Sequence, residues 1–263
     1  MAVDSPLLSV EHLVRDFPLP GGGWGRSRAT FRAVDDVSFT IGAGEVFALL
    51  GESGSGKSTT GRIICGLERA DAGRVLFSGR DLAEMPARER RALSPKIQLV
   101  FQDSSAAFDP RQTAGAMLEE SLLIAGVADA AERRGRARAA LERVGLTAER
   151  LSAYPHELSG GQRQRLNIAR ALVSEPELIV CDEPVSALDV SVQAQVLNLL
   201  CAVRRESGVA MLFITHDIRV ARHMADRVGV LRQGRLVEEG PAERVIGHPR
   251  HEYTRRLIEA VPA

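Results

Sequence analysis

The sequence predicts an α/β fold: a mostly parallel sheet covered by helices, entered through an antiparallel β segment and interrupted by an inserted helical subdomain. Three observations carry this. Short apolar runs at Val46–Leu50, Leu178–Cys181 and Val209–Ile214 have the length of buried strands and are separated by helical stretches, the alternation of a parallel sheet with crossover helices. Residues 7–41 instead alternate short apolar stretches (Leu7–Val14, Val37–Ile41) around a glycine-rich loop at Gly21–Gly25, the pattern of antiparallel strands. From about Thr113 to Val173 the chain is rich in alanine and arginine at helical spacing, with Gly126 and Gly145 placed as helix stops.

Taken in order, Val46–Leu50 leads into Gly51–Thr59 and then into Arg62, Ile63, Ile64 and Leu67 at helical spacing, so strand, glycine loop and helix follow one another. Val75–Phe77 precedes a Ser78-Gly79 turn, and Ile97–Phe101 is another apolar run. A helix is expected from about Val192 to Glu206. A hairpin is expected at Val228–Leu231 and Arg235–Glu238 about Gln233-Gly234, and a last helix at about Glu252–Ala260. The 263 residues read as a single domain. A core with its antiparallel segment occupies about 1–110 and 174–240, a helical subdomain about 111–173, and a C-terminal helical tail about 241–263.

Composition excludes several functions. Basic and acidic side chains number 34 each, so no global field attracts a polyanion, and nucleic acid is not expected as a partner. The arginines at 133, 134, 136, 138 and 143 share their segment with Glu132 and Glu142 and read as a solvated helix face. No run approaches the ~20 apolar residues of a membrane-spanning helix. The N-terminus lacks a basic segment leading into an apolar one, so no secretory signal is expected. Cys65, Cys181 and Cys201 are widely spaced and odd in number, and read as small buried hydrophobes rather than a disulfide or metal framework.

Chemistry concentrates in a few short motifs. Gly51, Gly56, Lys57 and Ser58 fit G-x-x-x-x-G-K-[ST], with the strand before and the helix after that this pattern requires. Across Gly51, Glu52, Ser53, Gly54, Ser55, Gly56, Lys57, Ser58 and Thr59, a glycine-permitted curl presents backbone N–H groups to phosphate oxygens, aided by the dipole of the helix that follows. The chain holds only two lysines, and one of them, Lys57, stands where an ammonium would meet the β- and γ-phosphates. Ser58 offers a hydroxyl to magnesium. The strand Leu178–Cys181 ends on Asp182-Glu183-Pro184, two carboxylates at the ligand-binding edge of a parallel sheet. Neighbouring residues of a strand point opposite ways, which suits Asp182 to hold the metal and Glu183 to orient or deprotonate a water.

Leu158-Ser159-Gly160-Gly161-Gln162 precedes a helical run. Alone it is a helix N-cap after a turn. After a phosphate loop and before a carboxylate pair, it resembles the signature of ATP-binding cassette (ABC) proteins, and with it nearly the whole chain resembles that family's P-loop NTPase fold. The resemblance implies ATP hydrolysis with Mg2+. It implies that Ser159, Gly160, Gly161 and Gln162 bind the γ-phosphate held by a partner subunit's loop, that Gln102 touches the metal or lytic water, that Asp189 bridges two subunits, and that His216 contacts the γ-phosphate. It also implies an aromatic residue stacked on adenine, for which Phe17 is the first choice and Phe31 the second. Ser58, Gln102 and Asp182 form the implied metal set.

Finer matches are similar to the ATPase subunits of bacterial dipeptide, oligopeptide and nickel importers: Tyr154-Pro155-His156-Glu157, Asp189–Gln195, and His251-Glu252-Tyr253-Thr254 with Ala260-Val261-Pro262. This chain has His-Glu-Tyr-Thr where that subfamily usually has His-Pro-Tyr-Thr, and Asp103–Pro110 departs from the usual proline and asparagine. The resemblance implies a second ABC ATPase subunit, identical or related, and two transmembrane permease subunits. It further implies an extracellular substrate-binding protein acting indirectly, and a place on the cytoplasmic face of the membrane. No iron–sulfur cluster is expected, because the cysteine cluster of some members' C-terminal extensions is not present. The rival expectation is a soluble, non-transport cassette ATPase, such as an accessory subunit of a phosphonate-degrading complex.

Overall fold

The computed structural model describes residues 5–19, 30–102 and 108–260. The Gly21–Gly25 loop, Asp103–Ala107 and the Val261-Pro262 part of the terminal motif lie outside the described residues. In chain order the elements are β1 (Leu8–Pro18), β2 (Thr30–Ile41), β3 (Val46–Leu50), α1 (Lys57–Ile64), β4 (Ala72–Phe77), β5 (Arg80–Asp81), α2 (Ala87–Leu93), β6 (Ile97–Val100), α3 (Ala114–Ile124), α4 (Ala130–Arg143) and α5 (Gly160–Leu172). They continue with β7 (Leu178–Asp182), α6 (Val190–Ser207), β8 (Ala210–Thr215), α7 (Ile218–Met224), β9 (Arg227–Arg232), β10 (Arg235–Pro241), α8 (Ala242–Gly247) and α9 (Glu252–Glu259). Two compact units result, Met1–Pro86 with Leu212–Ala263, and Ala87–Met211.

The first unit carries the expected antiparallel sheet, in the order β2-β1-β4-β5. Leu8 faces Ile41 on one side and Phe77 on the other, and Leu8, Val10 and Leu13 are buried. A second group of strands runs β10-β9-β3-β8, with β3 and β9 parallel and β9 and β10 antiparallel. All five residues of β3 are buried, as a strand covered on both faces requires. Phe39 of β2 stacks on Phe47 of β3, ring centroids 4.8 Å apart, which ties the antiparallel sheet to the parallel strands. Both expected turns take up left-handed pairs: Ser78-Gly79 (φ 49 and 75) and Gln233-Gly234 (φ 48 and 81), whose twist matches that of the flanking strands.

The second unit holds the parallel pair β6 and β7 with α2 to α6. Side chains start its helices: Thr113 caps α3, Asp129 caps α4, Ser159 caps α5 and Asp189 caps α6. Gly126 and Gly145, just past α3 and α4, have the positive φ of helix ends. Helix α6 begins two residues before the expected Val192 because the Asp189 carboxylate accepts the Val192 amide at 3.0 Å. Helix α2 has no buried residue, so it leaves no apolar periodicity in the sequence from which it could be read. Of the cysteines, Cys181 is buried as expected, whereas Cys65 and Cys201 are only half-buried.

Candidate functional site

In the first unit the buried strand β3 delivers the chain into Gly51 and the loop closes onto α1. Gly56, the N-cap of α1, has φ 103, and a Cβ there would collide with the Ala33 carbonyl oxygen, so both torsion and space demand glycine. Having no side chain, Gly56 caps nothing, and the first-turn amides of α1 face whatever occupies the loop. Lys57 is 3% exposed, and its Nζ donates to the carbonyls of Gly51 and Glu52 at 2.8 Å each. The ammonium thus folds across the mouth of the loop, with its stem buried. The loop is braced within itself by Ser55 N–H donating to the Glu52 carbonyl (3.2 Å), and from outside by Gly234 N–H donating to the Ser55 carbonyl (2.9 Å).

Two further candidates of this unit sit at strand ends. His216 is exposed directly after β8, ahead of Asp217, whose carboxylate caps α7 through the Arg219 amide at 2.8 Å. Burial pushes the Asp217 carboxyl up, but its bonds with Arg219 prevail and hold it below the ordinary value. Phe17, half-buried in β1, stands opposite Phe31 of β2 and lies under the Arg15 guanidinium, 4.6 Å from the ring centroid, while Phe31 is 50% exposed.

In the second unit, β7 is buried along its length and ends on Asp182, itself 7% exposed. Glu183 has left the strand: its φ of 45 is left-handed, an uncommon and strained conformation for glutamate. The reading of two strand neighbours pointing opposite ways therefore gives way to a carboxylate turned out by a backbone kink. Gln102 Nε2 donates to Glu183 Oε2 at 3.2 Å and to Ser186 Oγ at 3.4 Å, and the Ser186 hydroxyl donates to the Glu183 carbonyl at 3.1 Å. Two predicted residues, 81 positions apart, are thereby in contact, with Ser186 as a third member that the sequence reading did not assign. The Gln102 carboxamide, by directing its NH2 at an acceptor-only carboxylate, leaves its oxygen for another partner.

The signature residues start α5 as a capping box. Ser159 Oγ accepts the Gln162 amide at 3.3 Å, and the Gln162 side chain accepts the Ser159 amide at 3.0 Å. Gly161 has a packing reason to be glycine, since a Cβ would lie 2.7 Å from Cγ1 of Val192 on α6. Farther along α5, buried Asn167 donates to the Phe101 carbonyl at 3.1 Å, fastening the signature helix to the residue before Gln102; nothing in the sequence singled it out. The Asp189 carboxyl is held below its ordinary value by the Val192 amide and then by the Ser191 hydroxyl, so Asp189 is a helix cap as well as a candidate bridge.

Ser58, Gln102 and Asp182 offer a hydroxyl, an amide oxygen and a carboxylate, all hard oxygen donors of the kind magnesium takes. Among the described residues no cluster of three or more His, Cys, Asp or Glu forms a metal site, and no helix is long and apolar enough to cross a membrane.

The chain is 48% identical over 260 residues to a putative peptide import ATP-binding protein of Brucella ovis, covering 99% of this chain and 80% of that one. It is 46% identical over 257 residues to the glutathione import ATP-binding protein GsiA of Salmonella paratyphi A, where it spans 41% of the relative's length. A dimeric, post-hydrolysis structure of the ATP-binding cassette MJ0796 bound to ADP and Pi superposes with a TM-score of 0.78 at 30% identity, over 89% of this chain and 98% of that one. The structure of cbiO1 from Clostridium perfringens, part of the ABC transporter complex cbiONQ, gives a TM-score of 0.77 at 28% identity over 98% of this chain and 96% of that one. Residues 34–186, from the antiparallel sheet through the phosphate loop and signature to the carboxylate pair, match the ABC transporter model, and the chain belongs to that family.

Proposed function

We propose that this chain is the ATP-hydrolysing subunit of a membrane importer that takes up peptides. Its near-full-length similarity to peptide and glutathione import ATP-binding proteins supports the cargo class. The observation that carries the hydrolytic reading is the Glu183 carboxylate, turned off the end of β7 and held by the Gln102 amide.

In this reading residues Gly51–Thr59 cradle the triphosphate, with Lys57 swinging from its carbonyl partners to the β- and γ-phosphates. Bound magnesium would neutralise triphosphate charge, with Ser58, Asp182 and the Gln102 amide oxygen as its protein-side donors. Glu183 orients the attacking water and takes its proton, and His216 donates to the γ-phosphate. Phe17, with Phe31 beside it, stacks on adenine. Ser159–Gln162 addresses the nucleotide held by a second cassette, and Asp189 bridges the two subunits. Closure of that pair on ATP, and its release after hydrolysis, would drive two permease subunits at the cytoplasmic face of the membrane, fed by an extracellular substrate-binding protein.

Two substitutions test the chemistry separately. Lys57→Ala is expected to abolish ATP binding in a direct titration. Glu183→Gln is expected to retain ATP binding while turnover falls by about 10²-fold or more, the scale of losing a general base; near-normal hydrolysis by Glu183→Gln would refute the base assignment.

A further inference from the structure

The motif His251-Glu252-Tyr253-Thr254, which the subfamily resemblance singles out, has no part in the chemistry above. Its position in the first unit gives it one. Tyr253 is 8% exposed, and its hydroxyl oxygen accepts the backbone N–H of Glu52, inside the phosphate loop, at 3.3 Å. The Arg232 guanidinium lies over the Tyr253 ring, 5.0 Å from its centroid, so the ring is held between β9 and the loop. The residues around Tyr253 are spent on docking the start of α9. His251 Nδ1 accepts the Tyr253 amide at 3.1 Å, and Glu238 of β10 accepts the amides of Arg250 and His251 at 3.0 Å each. Thr254 is 1% exposed. A cleft of about 430 Å³ is lined by Ser53 and Gly54 of the loop and by Arg256 and Leu257 of α9, with Tyr253 also in its wall.

We propose that Tyr253 is a positioning residue for nucleotide binding: through its hydroxyl, α9 fixes the peptide at Glu52 and holds the loop in its phosphate-receiving curl before ATP arrives. A segment with glycine at 51, 54 and 56 has little intrinsic preference for that curl, and ordering it costs conformational entropy at the moment of binding unless something else has ordered it first. Gly234 holds the Ser55 carbonyl and Tyr253 the Glu52 amide, each from more than 175 positions away in sequence, and between them they set both ends of the turn that precedes Gly56. The phenol is neutral at physiological pH at its ordinary value, and burial pushes its pKa further up. The proposal rests on Gly51–Thr59 being the ATP site.

The test is Tyr253→Phe, which keeps the ring and removes only the hydroxyl, with Tyr253→Leu as a second variant lacking the ring. Hydrolysis by Tyr253→Phe is expected to show KM for ATP raised about 3- to 10-fold, the range one hydrogen bond supplies, with kcat within about twofold of the parent. Amide exchange across residues 51–56 is expected to be faster in the nucleotide-free variant and equal to the parent at saturating ATP, with the thermal midpoint unchanged. Tyr253→Leu is expected to move both readouts further in the same directions. An unchanged KM with unchanged loop exchange would overturn the proposal, as would a loss confined to kcat. Lys57→Ala is the control that separates the two readings. If the parent binds ATP and Lys57→Ala does not, a silent Tyr253→Phe sinks the positioning role alone; if the parent binds no ATP, both fall.

Discussion

A carboxylate becomes a general base when something fixes its direction, and Glu183 has two such constraints: a left-handed backbone that turns it off the strand, and the Gln102 amide at 3.2 Å. Gln102→Ala is therefore expected to lower kcat by about tenfold or more, a part of the roughly 10²- to 10⁴-fold that a positioned base contributes, while ATP still binds in a titration that Lys57→Ala abolishes. Retained full turnover would show that the kink alone aims Glu183. The identities of Lys57, Asp182 and Glu183 were legible because each sits in a contiguous motif whose local geometry is its own context. Ser186 and Asn167 were not, because their partners, Glu183 with Gln102 in one case and Phe101 in the other, are defined by packing.

Helix starts in the second unit are caps to which the proposed function gives a second duty, and substitutions can separate the two. Ser159→Asp keeps an N-cap of equal quality and adds a charge favoured by the helix dipole, so the thermal midpoint is expected to hold or rise. The same carboxylate would repel a partner's triphosphate, so turnover is expected to collapse; a variant that is stable and fully active would leave the signature serine as a cap only. Gly161→Ala places a methyl 2.7 Å from Val192 and is expected to destabilise by about 1–3 kcal/mol, the usual cost of overpacking. Adding Val192→Ala should recover much of that loss, which a denaturation double-mutant cycle measures. In the first unit, burial raises the pKa of Glu238, but the amides of Arg250 and His251 outweigh it and leave the carboxyl below its ordinary 4.5. A lowered carboxyl contributes stability that is fully present above 4.5 and is lost as pH falls through the folded value. Docking of α9 is thus expected to weaken only on acidification below about pH 4.5, and Glu238→Gln should flatten that dependence in a urea titration.

For the molecule as a whole, the proposed division of labour, with phosphate loop and signature serving different nucleotides, predicts activity that depends on assembly. Specific turnover should rise with protein concentration, and the Glu183→Gln chain should sediment as a dimer with ATP and as a monomer without it, whereas Ser159→Asp in the same background should not dimerise. Turnover independent of dilution would refute the shared centre. Strand–loop–helix order, the parallel and antiparallel segments, both hairpin turns and the terminal helix follow from apolar runs, glycine placement and capping residues, all of which act within a few positions of chain. That is why β3, α1, β7 and α5 could be placed from one dimension, and why α2, lacking a buried face, could not. Contacts such as Gln102 with Glu183, Gly161 against Val192, and Tyr253 on Glu52 span from 31 to 201 positions, and their geometry exists only once hydrophobic burial has brought distant segments together. Chemistry could be named from adjacent letters; its aim and its bracing belong to the packed chain.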